Sequence, residues 1–172
     1  MLNYKNNLPI ILMIGCIAAP SISVAAQTDL NFRLRYESAE QDNALKDASS
    51  LTLRTRLTHK TDEMNGFSAL LEVEDSRSLL GVDDYNNTLG KNTNYSVIAD
   101  PETTEIDQAF VKYAKDALSI KVGRQVIALD GQRFVGHVGF RQDRQTFDAA
   151  TVNYTFNSIN LHYSYISKRN RI

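Results

Sequence analysis

The side chains best suited to chemistry in this sequence are charged residues that recur two positions apart. The pairs are Arg33 with Arg35, Arg54 with Arg56, and Glu72 with Glu74. Residues spaced in this way lie on the same face of a β-strand, so each pair would present its two charges side by side. Two neighbouring glutamates could suggest the carboxylate pair of a glycosidase. We interpret them instead as wall charges, because same-face neighbours are the ordinary product of strand geometry.

Other residue types give no sign of a catalytic, metal or cofactor site. The three histidines are far apart and lack metal-ligand spacing; they are His59, His137 and His162. The three glycines of one predicted loop do not match a phosphate-binding spacing; they are Gly131, Gly136 and Gly139. We read Asp83 and Asp84 as part of a solvated loop, and we find no nucleophile-elbow pattern. We therefore predict neither an enzyme nor a bound cofactor.

Seven strand-like runs would position the charged pairs. They are Asp29–Glu37, Ser50–His59, Phe67–Asp75, Glu105–Tyr113, Leu118–Val126, Gln145–Phe156 and Ile159–Ser167. The first three alternate clearly between apolar and charged residues, which predicts a sheet with one apolar and one polar face. Across that polar face, Arg54 and Arg56 could pair with the two glutamates of the third run. Phe110 breaks the alternation, and Gly123 leaves the face of Arg124 undefined.

The connections between these runs alternate between long and short. The long ones lie near Ser38–Ala48, Ser76–Thr103 and Ala128–Asp143, and the short ones near Lys60–Gly66, Ala114–Asp116 and Asn157–Ser158. A soluble sheet also alternates between polar and apolar residues, but it has no reason to keep all its long loops at one end. Tight turns on one side and long loops on the other are typical of outer-membrane barrels. We therefore predict an all-β fold, an antiparallel up-and-down transmembrane β-barrel.

Residues 1–26 have the layout of a cleavable signal peptide. Lys5 precedes an apolar run, Leu8–Ala19, and small residues end at Ala26. The run is too short for a membrane-spanning helix, although an uncleaved anchor and a lipoprotein attached at Cys16 remain alternatives. Cys16 is the only cysteine, and the net charge of −1 argues against nucleic-acid binding. Residues 27–172 would then form the β-barrel part.

The region between Ile106 and Ala149 resembles a known family. The residues that carry the resemblance are Ile106–Tyr113, Val122–Gln125, Arg133–Gly136, Phe140–Gln142 and Gln145–Ala149. Together they resemble the alginate-export family of Gram-negative outer-membrane porins. Phe140 stands where that family's pattern leads us to expect a tryptophan, a departure that leaves the fold prediction unchanged.

The resemblance implies a large single-chain barrel of roughly 16–18 strands with a lumen rich in arginine and lysine. It also implies outer-membrane lipid, the barrel-assembly machinery and a small or anionic solute as partners. The candidate pore-lining residues are Arg33, Arg35, Arg54, Arg56, Glu72, Glu74, Lys121, Arg124, Arg133, Arg141 and Arg144. Their mixed sign weakens the case for alginate in particular, and each arginine could equally be a structural wall charge.

The odd number of predicted strands is relevant to whether these strands alone would close a barrel. Bacterial single-chain barrels have an even number of strands, so we expect this chain to be the N-terminal part of a larger barrel. The rival is a complete small barrel with a further strand in Gly90–Ile98. We expect a channel for passive transport of small or anionic solutes, with an acidic polysaccharide such as alginate as one candidate. The alternative is a small envelope β-barrel or periplasmic β-domain with a binding or structural role.

Overall fold

The computed structural model describes residues 26–172, so the predicted signal peptide, apart from its last residue, lies outside the described residues. Seven strands form one antiparallel sheet in chain order. They are β1 Ala26–Ala39, β2 Ala48–Thr61, β3 Phe67–Asp84, β4 Thr103–Lys115, β5 Leu118–Gln125, β6 Thr146–Phe156 and β7 Ile159–Asn170. All seven predicted strands and the all-β up-and-down fold are confirmed.

The sheet is open, with β1 and β7 as its two edges. A short 3-10 helix, Asp130–Gln132, is the one helical element in residues 26–172. No helix in that part of the chain is long and apolar enough to cross a membrane.

The alternation of long and short connections is also confirmed. Residues 40–47, 85–102 and 126–145 form the long loops, and residues 62–66, 116–117 and 157–158 form the short ones. Asn65 and Gly66 show how the sequence builds a tight turn, because both have positive φ, 52° and 86°. Met64 and Phe67 exchange two backbone hydrogen bonds of 2.8 and 2.9 Å across this pair. Asn-Gly is the preferred dipeptide for such a turn.

The two faces of the sheet are inverted relative to a soluble protein. On the apolar face Phe32 and Leu34 are 60% and 64% exposed, whereas on the polar face Glu74 and Asp107 are fully buried. Carboxylates are almost never fully buried unless they are paired, and large apolar side chains usually avoid water. The exposed apolar face therefore requires a non-aqueous covering, and the polar face requires an internal network of partners.

Residues 90–98 form no strand, so the further strand suggested there is wrong. The loop 85–102 contributes only isolated bridges, Lys46 with Tyr95 and Asn86 with Val97. Its fold is held instead by a small buried cluster of Ala48, Tyr85 and Ile98. Polar residues dominate this segment, and a lone apolar cluster can fix a loop without the alternation that a strand needs.

The interruption of the pattern at Phe110 and Gly123 has a local cause. These residues are directly opposite each other in β4 and β5, and Gly123 has φ +127°. A Cβ at Gly123 would come within 2.3 Å of the Ala109 carbonyl oxygen. Only glycine permits this close approach, which confirms the special backbone predicted for this position. An aromatic residue opposite a strand glycine is a known way of covering the gap that glycine leaves.

Candidate pore-lining face

The loop between β5 and β6 folds back across the polar face of the sheet. We call residues 126–145 the inner loop. Gln142 in this loop reaches strand β2, where its Nε2 donates to the Thr52 Oγ1 at 2.8 Å and to the Thr52 carbonyl at 3.1 Å. The same amide donates to the Arg33 carbonyl of β1 at 3.2 Å. The inner loop therefore runs over the polar face from strands β5 and β6 to strands β1 and β2 at the other end of the sheet.

An apolar cluster fixes the start of the inner loop against β6. Ile127 packs with Phe147 and Ala149, and Leu129 and Val135 complete the cluster. Phe147 and Ala149 alternate onto the polar face, where an apolar pair would be unfavourable in water. The inner loop covers them, and this burial holds the loop on the face by the hydrophobic effect.

A group of five charged residues lies at the centre of the polar face. We call it the central charge cluster; its members are Arg56, Glu72, Glu74, Asp107 and Arg144. Arg56 Nε donates to Glu74 at 2.7 Å and lies 3.5 Å from Asp107. From the inner loop, Arg144 Nε donates to Asp107 at 2.8 Å, and the same guanidinium also pairs with Glu72. Both glutamates and the aspartate are buried, so these pairs provide the compensation that buried charges require.

The predicted pairing of Arg54 and Arg56 with the glutamates is half correct. Arg56 is directly opposite Glu74 in the register and pairs with it. Arg54 is opposite Ser76 instead and donates to the Asn31 Oδ1 at 2.8 Å. The cause is the register, because the residue opposite Arg54 is two positions beyond Glu74, the last glutamate of β3.

A second group of charges lies nearer the long-loop end. We call Arg35, Glu37, Asp100 and Arg141 the outer charge cluster. Arg35 pairs with Glu37 and lies 3.6 Å from Asp100, while Arg141 of the inner loop lies 3.0 Å from Glu37. Both guanidinium groups lie over the ring of Phe140, at 4.0 and 5.2 Å from its centroid. Phe140 thus serves as a cation-π partner for two arginines.

Arg33 and Arg133 contact only neutral groups. Arg33 donates from Nη1 to the Gly139 carbonyl of the inner loop at 3.1 Å and also to the Phe140 carbonyl. Arg133 lies exposed on the far part of the inner loop, 5.8 Å from the centroid of Phe134. Of these two predicted residues, only Arg33 lies on the polar face.

Arg124 lies on the opposite face from the one expected for a pore-lining residue. Its register partners are Ala109 in β4 and Asp148 in β6, which share the apolar face with Val122. The side chain donates to Asp148 at 2.9 Å and to the Ile106 carbonyl at 2.9 Å. We therefore correct its assignment, since an odd-numbered offset from Lys121 places it on the other side of the strand.

Lys121 lies on the polar face near the short-turn end of β5. Its Nζ is 4.6 Å from the centroid of the Phe110 ring. None of the ion pairs in residues 26–172 includes this lysine. It differs in this respect from the arginines of the two charge clusters.

Several acidic residues of the polar face did not emerge from the sequence. Asp107 is the clearest case, because a register shift between Glu72 and Val73 leaves it as an extra residue beside Gln108. Such a bulge turns the side chain of Asp107 onto the polar face, whereas strict alternation would assign it to the apolar face. Asp100 belongs to a loop, where alternation gives no information.

Asp143, on the inner loop, is buried and has a strongly altered acidity. Burial and the nearby carboxylates of Glu105 and Glu74 raise the pKa of Asp143 to about 8. A carboxyl group surrounded by other carboxylates favours its neutral form. No group of three or more metal-ligating side chains in residues 26–172 is arranged so that it could hold a metal ion. The face therefore offers paired charges together with the protonatable carboxyl group of Asp143, the components of a polar wall.

The fold and the polar face together indicate a class of protein. An antiparallel up-and-down sheet with exposed apolar residues on one face and charges on the other is typical of the wall of an outer-membrane β-barrel. A family model described as alginate export matches residues 24–164, most of the chain. The chain belongs to the alginate export family, whose members are outer-membrane porins of the transporter class rather than enzymes. Searches of curated proteins and of solved structures find no match.

Proposed function

We propose that this protein acts as an outer-membrane channel for the passive transport of small or anionic solutes, with an acidic polysaccharide such as alginate as a candidate substrate. One observation carries the proposal beyond family membership, namely the inverted burial of the two faces. Glu74 is fully buried while Leu34 is 64% exposed. In a channel, the exposed apolar face contacts lipid and the charged face lines the lumen.

The polar face would act on solutes through charges held in place before a solute arrives. The inner loop narrows the space in front of the sheet, because it crosses from β5 to the β1–β2 pair. Within the two charge clusters, arginines and carboxylates largely compensate one another. Selectivity would then depend on cations without a carboxylate partner, among them Arg33, Arg54 and Lys121. Side-chain charges that line a pore set its preference for anions or cations.

The direct test is conductance of the native protein, extracted from cell envelopes with detergent and reconstituted into planar bilayers. We expect discrete conductance steps and, in a salt gradient, a reversal potential that shows a preference for anions. Absence of steps in preparations that fold would reject the proposal. Recovery of the protein in the soluble periplasmic fraction would favour the alternative of a periplasmic β-domain.

A further inference from the structure

Four consecutive residues hold the last part of the inner loop against the polar face. We call residues 141–144 the latch. Gln142 donates its side-chain amide to β1 and β2, and its backbone N–H donates to the Asp100 Oδ1 at 2.8 Å. Arg141 and Arg144 bind carboxylates of the outer and central charge clusters, at 3.0 and 2.8 Å. Three of the four latch residues therefore attach through hydrogen-bond donors, and two of these are cations.

Asp143, the fourth latch residue, faces groups of its own charge. Its side chain is buried, and its Oδ1 has no hydrogen-bond partner in residues 26–172. Glu74 of β3 and Glu105 of β4 are directly opposite each other in the register and lie close to Asp143. Glu105 is near enough to share a proton with Asp143. An ionised Asp143 thus adds to a crowded group of negative charges, whereas a protonated Asp143 can donate a hydrogen bond to Glu105.

The cations close to Asp143 do not compensate its charge. Arg56 of β2 and Arg144 of the latch are already bonded within the central charge cluster, to which Asp107, a third nearby carboxylate, belongs. Glu105 forms none of the ion pairs found in residues 26–172. The latch therefore contains one group whose ionised form opposes the contacts that the other three residues make.

His137 is another titratable side chain of the inner loop. Burial and the guanidinium groups of Arg144 and Arg56 lower the pKa of His137 below its ordinary value. The imidazole is therefore neutral at about pH 7 and adds no charge there. A change in the charge of the latch near neutral pH must come from Asp143.

We propose that Asp143 is a proton-operated switch, whose neutral carboxyl group keeps the inner loop on the polar face and whose ionisation releases the latch from the sheet. The start of the loop is held independently by the apolar cluster around Ile127 and Phe147, so the latch can open while that end stays in place. Opening would widen the space in front of the polar face. The effect on transport rests on the proposed channel function, whereas the movement of the loop does not.

The latch should open as the pH rises. While the latch is closed, burial and the carboxylates of Glu105 and Glu74 raise the pKa of Asp143 to about 8. A released, solvated aspartate has a pKa of about 3.9. The closed latch is therefore most favoured below about pH 4, weakens as the pH rises to about 8, and changes no further above that. Within this range, each pH unit makes opening up to about tenfold more favourable.

Hydrogen exchange of backbone amides measures the latch directly. The Gln142 N–H is the reporter, and peptides covering residues 137–145 are followed by mass spectrometry on native protein in detergent micelles. Asp143→Asn keeps the shape of the side chain and cannot ionise. The ratio of the native exchange rate to that of the variant, taken at the same pH, cancels the intrinsic pH dependence of exchange. We expect this ratio to increase at least about tenfold between about pH 5.5 and about pH 7.5.

Two further variants make the result specific. Asp130→Asn removes an exposed acid from the same loop, at a position with φ 49° that asparagine tolerates, and its ratio should stay constant. Glu105→Gln removes one of the facing charges and should slow exchange at about pH 7.5, by a smaller factor than Asp143→Asn. A constant ratio for Asp143→Asn, an equal increase for Asp130→Asn, or exchange unchanged by Glu105→Gln would overturn the inference.

Conductance in planar bilayers separates the latch from the channel. We expect smaller conductance steps at about pH 5.5 than at about pH 7.5, and small steps at both values in Asp143→Asn. An exchange response without any conductance would support the latch and reject the channel proposal. Conductance in a protein whose exchange ignores Asp143 would reject the latch alone. Steps of equal size at the two pH values, with the expected exchange response, would overturn the role of the latch in transport.

Discussion

Replacement of Arg144 by methionine would test whether the central charge cluster holds the inner loop on the sheet. Arg144 is the member of that cluster that the inner loop supplies. Its guanidinium lies 2.8 Å from Asp107 and also pairs with Glu72, and the side chains of these acids are 0% and 8% exposed. Methionine keeps most of the apolar stem and removes the charge. Both carboxylates would then lose one cation without gaining access to water.

The size of the effect follows from the remaining contacts. Removal of one partner from a buried ion pair costs about 3–5 kcal/mol when the other charge is left alone. Here Arg56 remains 3.5 Å from Asp107 and 3.7 Å from Glu72, and Thr58 still donates to Glu72. These contacts offset part of the loss, so we expect a decrease of about 2 kcal/mol in the free energy of unfolding.

The assay is urea unfolding of the protein in phospholipid vesicles, followed by circular dichroism. The matched control is Arg133→Met, an exposed arginine of the same loop, which should change the free energy of unfolding by less than about 0.5 kcal/mol. Addition of Asp107→Asn to Arg144→Met should restore about 1 kcal/mol, since the unpaired buried charge is removed as well. Equal effects of the two arginine replacements would refute a structural role for the cluster.

Three further predictions concern the inner loop, the strand pairing and the apolar face. Because burial and neighbouring carboxylates raise the pKa of Asp143 to about 8, the contribution of Asp143 to stability should be greatest below about pH 4 and fall as the pH rises toward 8. Asp143→Asn should remove this component of the pH dependence in urea unfolding, and an unchanged pH profile would count against it. Gly123→Ala should cost more than about 2 kcal/mol or prevent folding, because its Cβ would meet the Ala109 carbonyl oxygen at 2.3 Å; normal refolding yield would contradict this. Val111→Arg on the apolar face should cost about 2–4 kcal/mol in vesicles, whereas Ser68→Arg on the polar face should not; similar costs would argue against a lipid-facing side.

The strands were predictable because each carries its own signal. Period-two alternation identifies a strand locally, and Asn65-Gly66 identifies its turn. The same method located the end of β3 too early, because Arg77, Leu79 and Leu80 depart from alternation while the strand continues to Asp84. A positive φ of 54° at Leu80 marks the irregularity there. Local pattern therefore gives the existence of a strand more securely than its end.

The site was less predictable because its contacts are not local. Gln142 reaches Thr52 across 90 positions of sequence, and no periodicity relates the two. The assignment of Asp107 to a face depends on a bulge. The assignment of Arg124 depends on whether the alternation of faces continues unchanged through Gly123. Sequence patterns identified most of the arginines on the polar face. They could not identify the loop that covers that face, because its position depends on packing.

The central claim is that the polar face of this sheet meets water while its apolar face meets lipid. Single cysteines at Ser119 and Val122, placed in a Cys16→Ser background, report on opposite faces of β5. Each is labelled with an environment-sensitive fluorophore in native outer-membrane vesicles and quenched by iodide or by nitroxide lipids. We predict quenching of the Ser119 position by iodide and of the Val122 position by nitroxide lipids. Equal quenching of both positions by iodide would contradict the claim.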